Sequence, residues 1–188
     1  MVTAHARTPD ANTVDHAAGA ADAAALPEAR RIVSSVPDPE MPWVTLGDLG
    51  IVRGVQLSAH GSVRVELTPT YLGCPAIEAM RTDVAAALTA AGYRVESVEL
   101  RLDPPWTSAQ ITEDGRRKLA EVGIAPPAHM AGAAGPKPGH GATPVALGVR
   151  CPRCGGIETA LLSRFGASPC QELRRCSSCG EPFPAVRS

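Results

Sequence analysis

Apolar positions recur along this chain with two periods. Over 75–91, Ile77, Met80, Val84, Leu88 and Ala91 fall three or four residues apart, which lines one face of a helix. Gly92 follows, where helices commonly end. Over 62–67, Val63, Val65 and Leu67 alternate with Arg64 and Glu66, the pattern of a strand with one dry and one wet face. A strand over 51–57 precedes it, joined through Ala59, His60 and Gly61 as a hairpin. A less regular alternation over 94–102, with Val95 and Val98 apolar, predicts a third strand. A helix over 27–35 begins with Pro27 at a tolerated first-turn position. Pro37, Pro39 and Pro42, in a loop with Val36, Asp38, Glu40 and Met41, stop it. Thr112 is placed to cap a last helix through Val122, with Glu113 and Asp114 in its first turn and Gly123 after it. The order α-β-β-α-β-α describes a small α+β domain over 27–124, a three-stranded sheet packed with helices.

The flanking segments have other compositions. The stretch 1–26 is Ala-rich, carries Asp10, Asp15 and Asp22, and lacks the basic start and apolar run of a secretory signal; a disordered leader is expected. Pro, Gly, Ala and His dominate 125–146, the composition of a flexible linker. No apolar run approaches the roughly 18–20 residues that span a bilayer, so no membrane partner is expected and the chain reads as cytoplasmic. Aromatics are 3% of the 188 residues, so the core is aliphatic and modest. The formal net charge of −1 gives no global field toward nucleic acid.

Six cysteines in a reducing compartment point to metal or reactive thiols rather than disulfides. Cys151-Pro-Arg-Cys154-Gly155 and Cys176-Ser-Ser-Cys179-Gly180 share one grammar. Two intervening residues let both sulfurs reach one tetrahedral ion, and the glycine permits the tight turn. Segments 158–165 and 171–175 can supply strands between the pairs, so 147–188 reads as a zinc ribbon. Four soft ligands with no open position favour zinc, and so small a module depends on its metal to fold. Residues 147–188 hold six Arg against three Glu, formally +3; four thiolates and a divalent ion bring this to +1 (3 − 4 + 2), too little to argue for nucleic acid.

Cys74 precedes Pro75 and the helix of 75–91, which places its sulfur near a helix N-cap, where amides and macrodipole favour the thiolate. A reactive or metal-binding thiol and a small buried hydrophobe both fit that position. Asp38 and Glu40 can ligate iron or hydrogen-bond loop amides. Cys170 is a spare structural thiol, part of a second, labile site, or a redox-active thiol; spacing does not choose. Trp106 reads as a core or interface anchor. None of the five histidines suits a triad, and no self-sufficient catalytic constellation is present.

Val36-Pro-Asp-Pro-Glu40, Leu46-Gly-Asp-Leu-Gly50 and Leu67-Thr-Pro-Thr-Tyr-Leu-Gly-Cys-Pro75 together resemble the SufT-like metal–sulfur cluster assembly domain. With Leu102-Asp-Pro-Pro-Trp-Thr107, Gly123-Ile-Ala-Pro-Pro127, the Cys-Pro-Arg-Cys tail and Glu181-Pro-Phe183, the chain is similar to the PaaD-like family, a component of bacterial ring 1,2-phenylacetyl-CoA epoxidase systems. The resemblance covers roughly 27–188. It implies an accessory rather than catalytic role, helping assemble or insert iron or iron–sulfur centres of the oxygenase or reductase subunits. Cys74 would be the transfer thiol for transient iron or a cluster, and Asp38 and Glu40 would shape its loop. Here Cys170 is followed by Gln171 where the family usually has Lys, and the end after Phe183 lacks the family's aromatics. A different class of reading, a zinc-ribbon module that binds a protein or nucleic acid, draws on Arg150, Arg153, Arg174 and Arg175.

Overall fold

A computed structural model describes residues 16–58, 60–71, 73–127 and 149–187. The elements are α1 (His16–Ser35), β1 (Val52–Leu57), β2 (Ser62–Leu67), α2 (Ile77–Ala90), β3 (Arg94–Leu100), a 3-10 turn (Ser108–Gln110), α3 (Glu113–Glu121), and then β4 (Thr159–Ser163), β5 (Gln171–Cys176) and β6 (Pro182–Val186). They form two separate three-stranded sheets, a mixed α+β domain followed by a β ribbon.

In the first sheet β2 is central, antiparallel to β1 and parallel to β3. The parallel pairing requires a crossover, which α2 supplies. Helices α1 and α2 pack on the sheet and on each other. Val63, Val65 and Leu67 of β2 are fully buried, as their alternation requires, and meet Val33 of α1 and Val84 and Leu88 of α2. On the sheet's wet face, Arg64 pairs with Glu96 and Arg101 with Glu66. At roughly 1.5–3 kcal/mol per fully buried aliphatic side chain, this cluster is the main source of the domain's stability.

The loop between α1 and β1 shows why its glycines and aspartate are there. A Cβ on Gly47 would lie 2.7 Å from the Ser34 carbonyl, and one on Gly50, whose φ is +67°, would lie 2.3 Å from that of Gln110. Asp48 accepts the Thr45 amide at 2.9 Å and pairs with Lys118 of α3 at 2.6 Å. Its main-chain carbonyl accepts the amide of Thr112. Thr112 caps α3 by accepting from the Gly115 amide at 3.0 Å, as its sequence position predicts. Trp106 is an anchor, donating its indole N–H to the Leu49 carbonyl at 2.8 Å.

Three boundaries differ from expectation. Helix α1 begins at His16, not Pro27, so the expected disordered leader is helical from 16 to 26, with Pro27 inside the helix. The Ala-rich sequence explains this, since alanine gives up no side-chain freedom on becoming helical. Residues 1–15 lie outside the described residues. The expected linker lies outside them from 128 onward, but its first residues are ordered. Ala125 bridges to Ala185 of β6, donating to Pro184 at 2.8 Å and accepting from Val186 at 3.0 Å. Arg116, itself buried, holds this exit segment by donating to the Pro127 carbonyl at 2.8 Å. The ribbon also has a strand beyond the two expected, β6. No helix among the described residues is long and apolar enough to cross a membrane.

Candidate metal centre

The two knuckles are built alike. In the first, the Gly155 amide donates to the Cys151 carbonyl at 2.9 Å, and the Cys151 amide donates to the Gly156 carbonyl at 2.9 Å. In the second, Gly180 donates to Cys176 at 3.0 Å and Cys176 to Glu181 at 2.9 Å. Gly155 and Gly180 have φ of +74° and +78°, a conformation that costs other residues strain. Antiparallel β4 and β5 carry the knuckles into register, with Thr159 opposite Cys176.

This brings the Cys151, Cys154, Cys176 and Cys179 sulfurs all within 4.8 Å of one another. The Cys151–Cys179 and Cys154–Cys176 separations are 3.8 and 3.6 Å. A tetrahedron with metal–sulfur bonds of about 2.3 Å has edges of about 3.8 Å, so those two pairs already stand at the spacing a four-thiolate ion requires. Protons are held unevenly in it. The Gly156 amide favours a Cys154 thiolate, but hydrogen bonding with Cys179 and Cys176 pushes that thiol up to about 12. The Cys179 amide foremost holds Cys176 down to about 6. The arginines of the binding-module reading are engaged within the ribbon. Arg153 pairs with Glu181 and Arg174 with Glu172, while Arg150 and Arg175 donate to the knuckle carbonyls of Gly155 and Gly180.

The other two cysteines lie elsewhere. Cys74 is buried in the loop before α2, and Gly73 beside it has φ of +89°. The first helical residue is Ile77 and the N-cap is Ala76, so Cys74 stands two residues ahead of the cap rather than on it. Burial pushes its thiol up; the Ala76 and Ile77 amides pull the other way, and the charges of Asp38 and Glu40 add to the rise. At this thiol the effect of burial exceeds that of the two amides. Asp38 is buried and accepts the Glu40 and Met41 amides at 2.9 and 2.8 Å, which folds the Pro-rich loop, and burial raises its pKa as well. Glu40 is half-buried beside it.

Cys170 is not part of the ribbon cage. It is buried in the α+β core together with Val186, in the cluster that contains Cys74. Ser168 Oγ lies 2.9 Å from its sulfur. Arg187 went unremarked in the sequence. Its amide donates to the Cys170 carbonyl at 3.0 Å and its guanidinium to Pro169 at 2.8 Å. The same guanidinium stacks over Tyr71, three residues before Cys74, at 4.5 Å, and over Phe165 at 4.9 Å.

Two family descriptions match the chain: an iron–sulfur cluster assembly protein over residues 28–100 and the PaaD zinc beta ribbon domain over 135–187. A protein of Escherichia coli (strain K12), by name the D component of a "Putative 1,2-phenylacetyl-CoA epoxidase", is 44% identical over 153 residues, 81% of this chain and 86% of that one. The chain belongs to this PaaD-like family. The PaaD-like chain is also 31% identical over 90 residues to the "Fe-S protein maturation auxiliary factor" of Porphyromonas gingivalis (strain ATCC BAA-308 / W83), covering 47% of this chain and 85% of that one. A solved Domain of Unknown Function, DUF59, from Bacillus anthracis shares the fold of the first domain, with TM-score 0.50 and 22% identity over 54% of this chain and 96% of that one. The PaaD-like chain is thus an assembly-type α+β domain joined to a metal-binding four-cysteine ribbon.

Proposed function

We propose that this chain is an accessory protein of a phenylacetyl-CoA epoxidase system in cytoplasmic phenylacetate degradation, assisting assembly or insertion of iron or iron–sulfur centres in the oxygenase or reductase subunits. The observation that carries this is the union, in one chain, of an iron–sulfur assembly domain and a PaaD ribbon. Likeness over most of the chain to an epoxidase component and, over the first domain, to a maturation factor supports it. In this reading the ribbon holds zinc in its closed four-sulfur cage as a structural ion. Cys74 is the thiol that takes the cargo, and Asp38 and Glu40 shape its loop. The chain supplies no catalytic group. Engagement of the ribbon arginines in the module's own turns supports this reading over nucleic-acid binding.

The test is a deletion strain complemented with wild-type or Cys74→Ala protein, in which iron is measured per oxygenase and per reductase purified from each. The expected result is a normal amount of oxygenase and reductase protein that is poor in iron in the deletion and Cys74→Ala strains. Full iron content in the deletion strain would contradict the proposal.

A further inference from the structure

The ribbon's sheet has two edges, and they are finished differently. On the β6 edge Ala125 bridges to Ala185, and Pro182 and Pro184 have no amide hydrogen to offer a further strand. On the β4 edge no strand is paired among the described residues. Strand β4 contains neither a proline nor a charged side chain, two of the devices that protect an open edge. The Glu158 carbonyl accepts the Ser177 amide at 2.8 Å, so the main-chain groups of Glu158 turn toward β5. By the alternation of an antiparallel ladder, those of Thr159 and Leu161 point outward.

The side chains along this open edge are apolar and uncovered. Nine large apolar side chains are exposed among the described residues, and four of them, Ile157, Leu161, Leu162 and Phe165, fall within 157–165. Each of the four is between 44% and 59% exposed, too much for side chains that serve the ribbon's own core. A bulge between Leu161 and Ser163 breaks the alternation there, which accounts for two neighbouring leucines both standing outside.

The order of residues says what covers them. Laid antiparallel on a second copy about Leu161, the stretch matches itself position by position. Leu161 meets Leu161, Ala160 meets Leu162, Thr159 meets Ser163, Glu158 meets Arg164 and Ile157 meets Phe165. Glu158 and Arg164 are exposed. The ribbon's ion pairs are Arg153 with Glu181 and Arg174 with Glu172, which leaves Glu158 and Arg164 without a charged partner among the described residues. A parallel arrangement in register would set Glu158 against Glu158 and Arg164 against Arg164. Only the antiparallel one places opposite charges at equal distances on either side of the centre.

We propose that β4 is a self-pairing edge, through which two copies of this chain join antiparallel about Leu161. At the centre each Leu161 amide donates to the other copy's Leu161 carbonyl, the reciprocal pair that an antiparallel ladder makes. The bulge confines main-chain pairing to that centre, and side chains supply the rest of the contact. The leucines pack across the axis, Ile157 lies against the second copy's Phe165, and a Glu158–Arg164 ion pair closes each end. The two three-stranded ribbon sheets thereby continue into one another. This surface is independent of the role proposed for Cys74.

The test is sedimentation of full-length, zinc-loaded protein over a wide range of concentration. The expected result is a reversible equilibrium between monomer and dimer. Leu161→Lys sets two ammonium groups against each other at the centre and should weaken the dimer by about tenfold or more. Glu158→Arg and Arg164→Glu each set like charges across both ends and should weaken it by about tenfold as well. Mixed in equal amounts, these last two variants should associate with each other as tightly as the wild type does with itself, because the mixed dimer regains both ion pairs. Zinc at one per chain in every variant shows that the ribbon is folded. A wild type that stays monomeric throughout leaves this edge to a different protein and overturns the proposal. A dimer untouched by Leu161→Lys is joined elsewhere and overturns it too. Failure of the mixed variants to associate overturns the antiparallel pairing about Leu161.

Discussion

Four of the six cysteines stand on two glycine-closed turns of a small ribbon, and two are sunk in an aliphatic core from opposite sides of a domain junction. In the ribbon the sulfurs lie 3.6–3.8 Å apart in pairs, and the buried cluster there is five residues, two of them the ligands Cys151 and Cys176. That is too little apolar surface to fold about 40 residues unaided, so the ion supplies what the core lacks. In the α+β domain the balance is reversed. Its core is a large aliphatic cluster in which Cys74 and Cys170 are two buried members among many. The contrast teaches that one residue type can gather a metal cage in one place and fill an aliphatic core in another.

The largest effect should come from taking the ion away. Chelation, or Cys176→Ser, should unfold the ribbon, because structural zinc in comparable modules contributes about 10–16 kcal/mol of apparent free energy. Amide hydrogen exchange should show β4, β5 and β6 losing protection while β2 and α2 keep theirs. Equal loss in both regions would erase the distinction. Next, Leu88→Ala removes a fully buried α2 side chain and should cost the α+β domain about 2–5 kcal/mol. Denaturant midpoints should fall, with ribbon zinc still at one per chain.

Acid should separate the regions by another route. Lys118 and the Thr45 amide and hydroxyl hold the Asp48 carboxyl below its ordinary range against the opposing effect of burial. Its contribution is therefore complete above the unfolded value of about 4 and is lost as pH falls through the lower folded value. Asp48→Asn should cost about 2 kcal/mol at neutral pH and flatten that part of the acid profile. A profile unchanged in slope would count against the ion pair. Smallest, Arg187→Ala should cost about 1 kcal/mol by removing the guanidinium from Tyr71 and from the Pro169 carbonyl. Its signature is faster hydrogen exchange at the junction with zinc retained. Unaltered exchange there would mean the contact does not hold the modules together.

Much of this was legible because it is local. Met80, Val84 and Leu88 announce α2 by spacing, Thr112 announces the cap of α3, and the paired knuckles announce a cage because each pair of ligands sits on one turn. β6 was not legible: Pro182 and Pro184 interrupt its pattern. They are tolerated because the strand lies at the sheet edge, where Pro184 needs only its carbonyl to receive Ala125. The junction was not legible either. Cys170 comes into the cluster that contains Cys74 together with Val186, from the far end of the ribbon. No periodicity or spacing encodes that meeting. The two readings of Cys74 stayed open for the same reason, since the helix start can be read from sequence and the depth of burial cannot.

The most direct test of the two-setting account is metal analysis of anaerobically purified protein, wild type against Cys74→Ala. The account predicts zinc at one per chain in both, with iron in the wild type and none in the variant. Equal iron in the two proteins, or zinc lost together with iron, would contradict it.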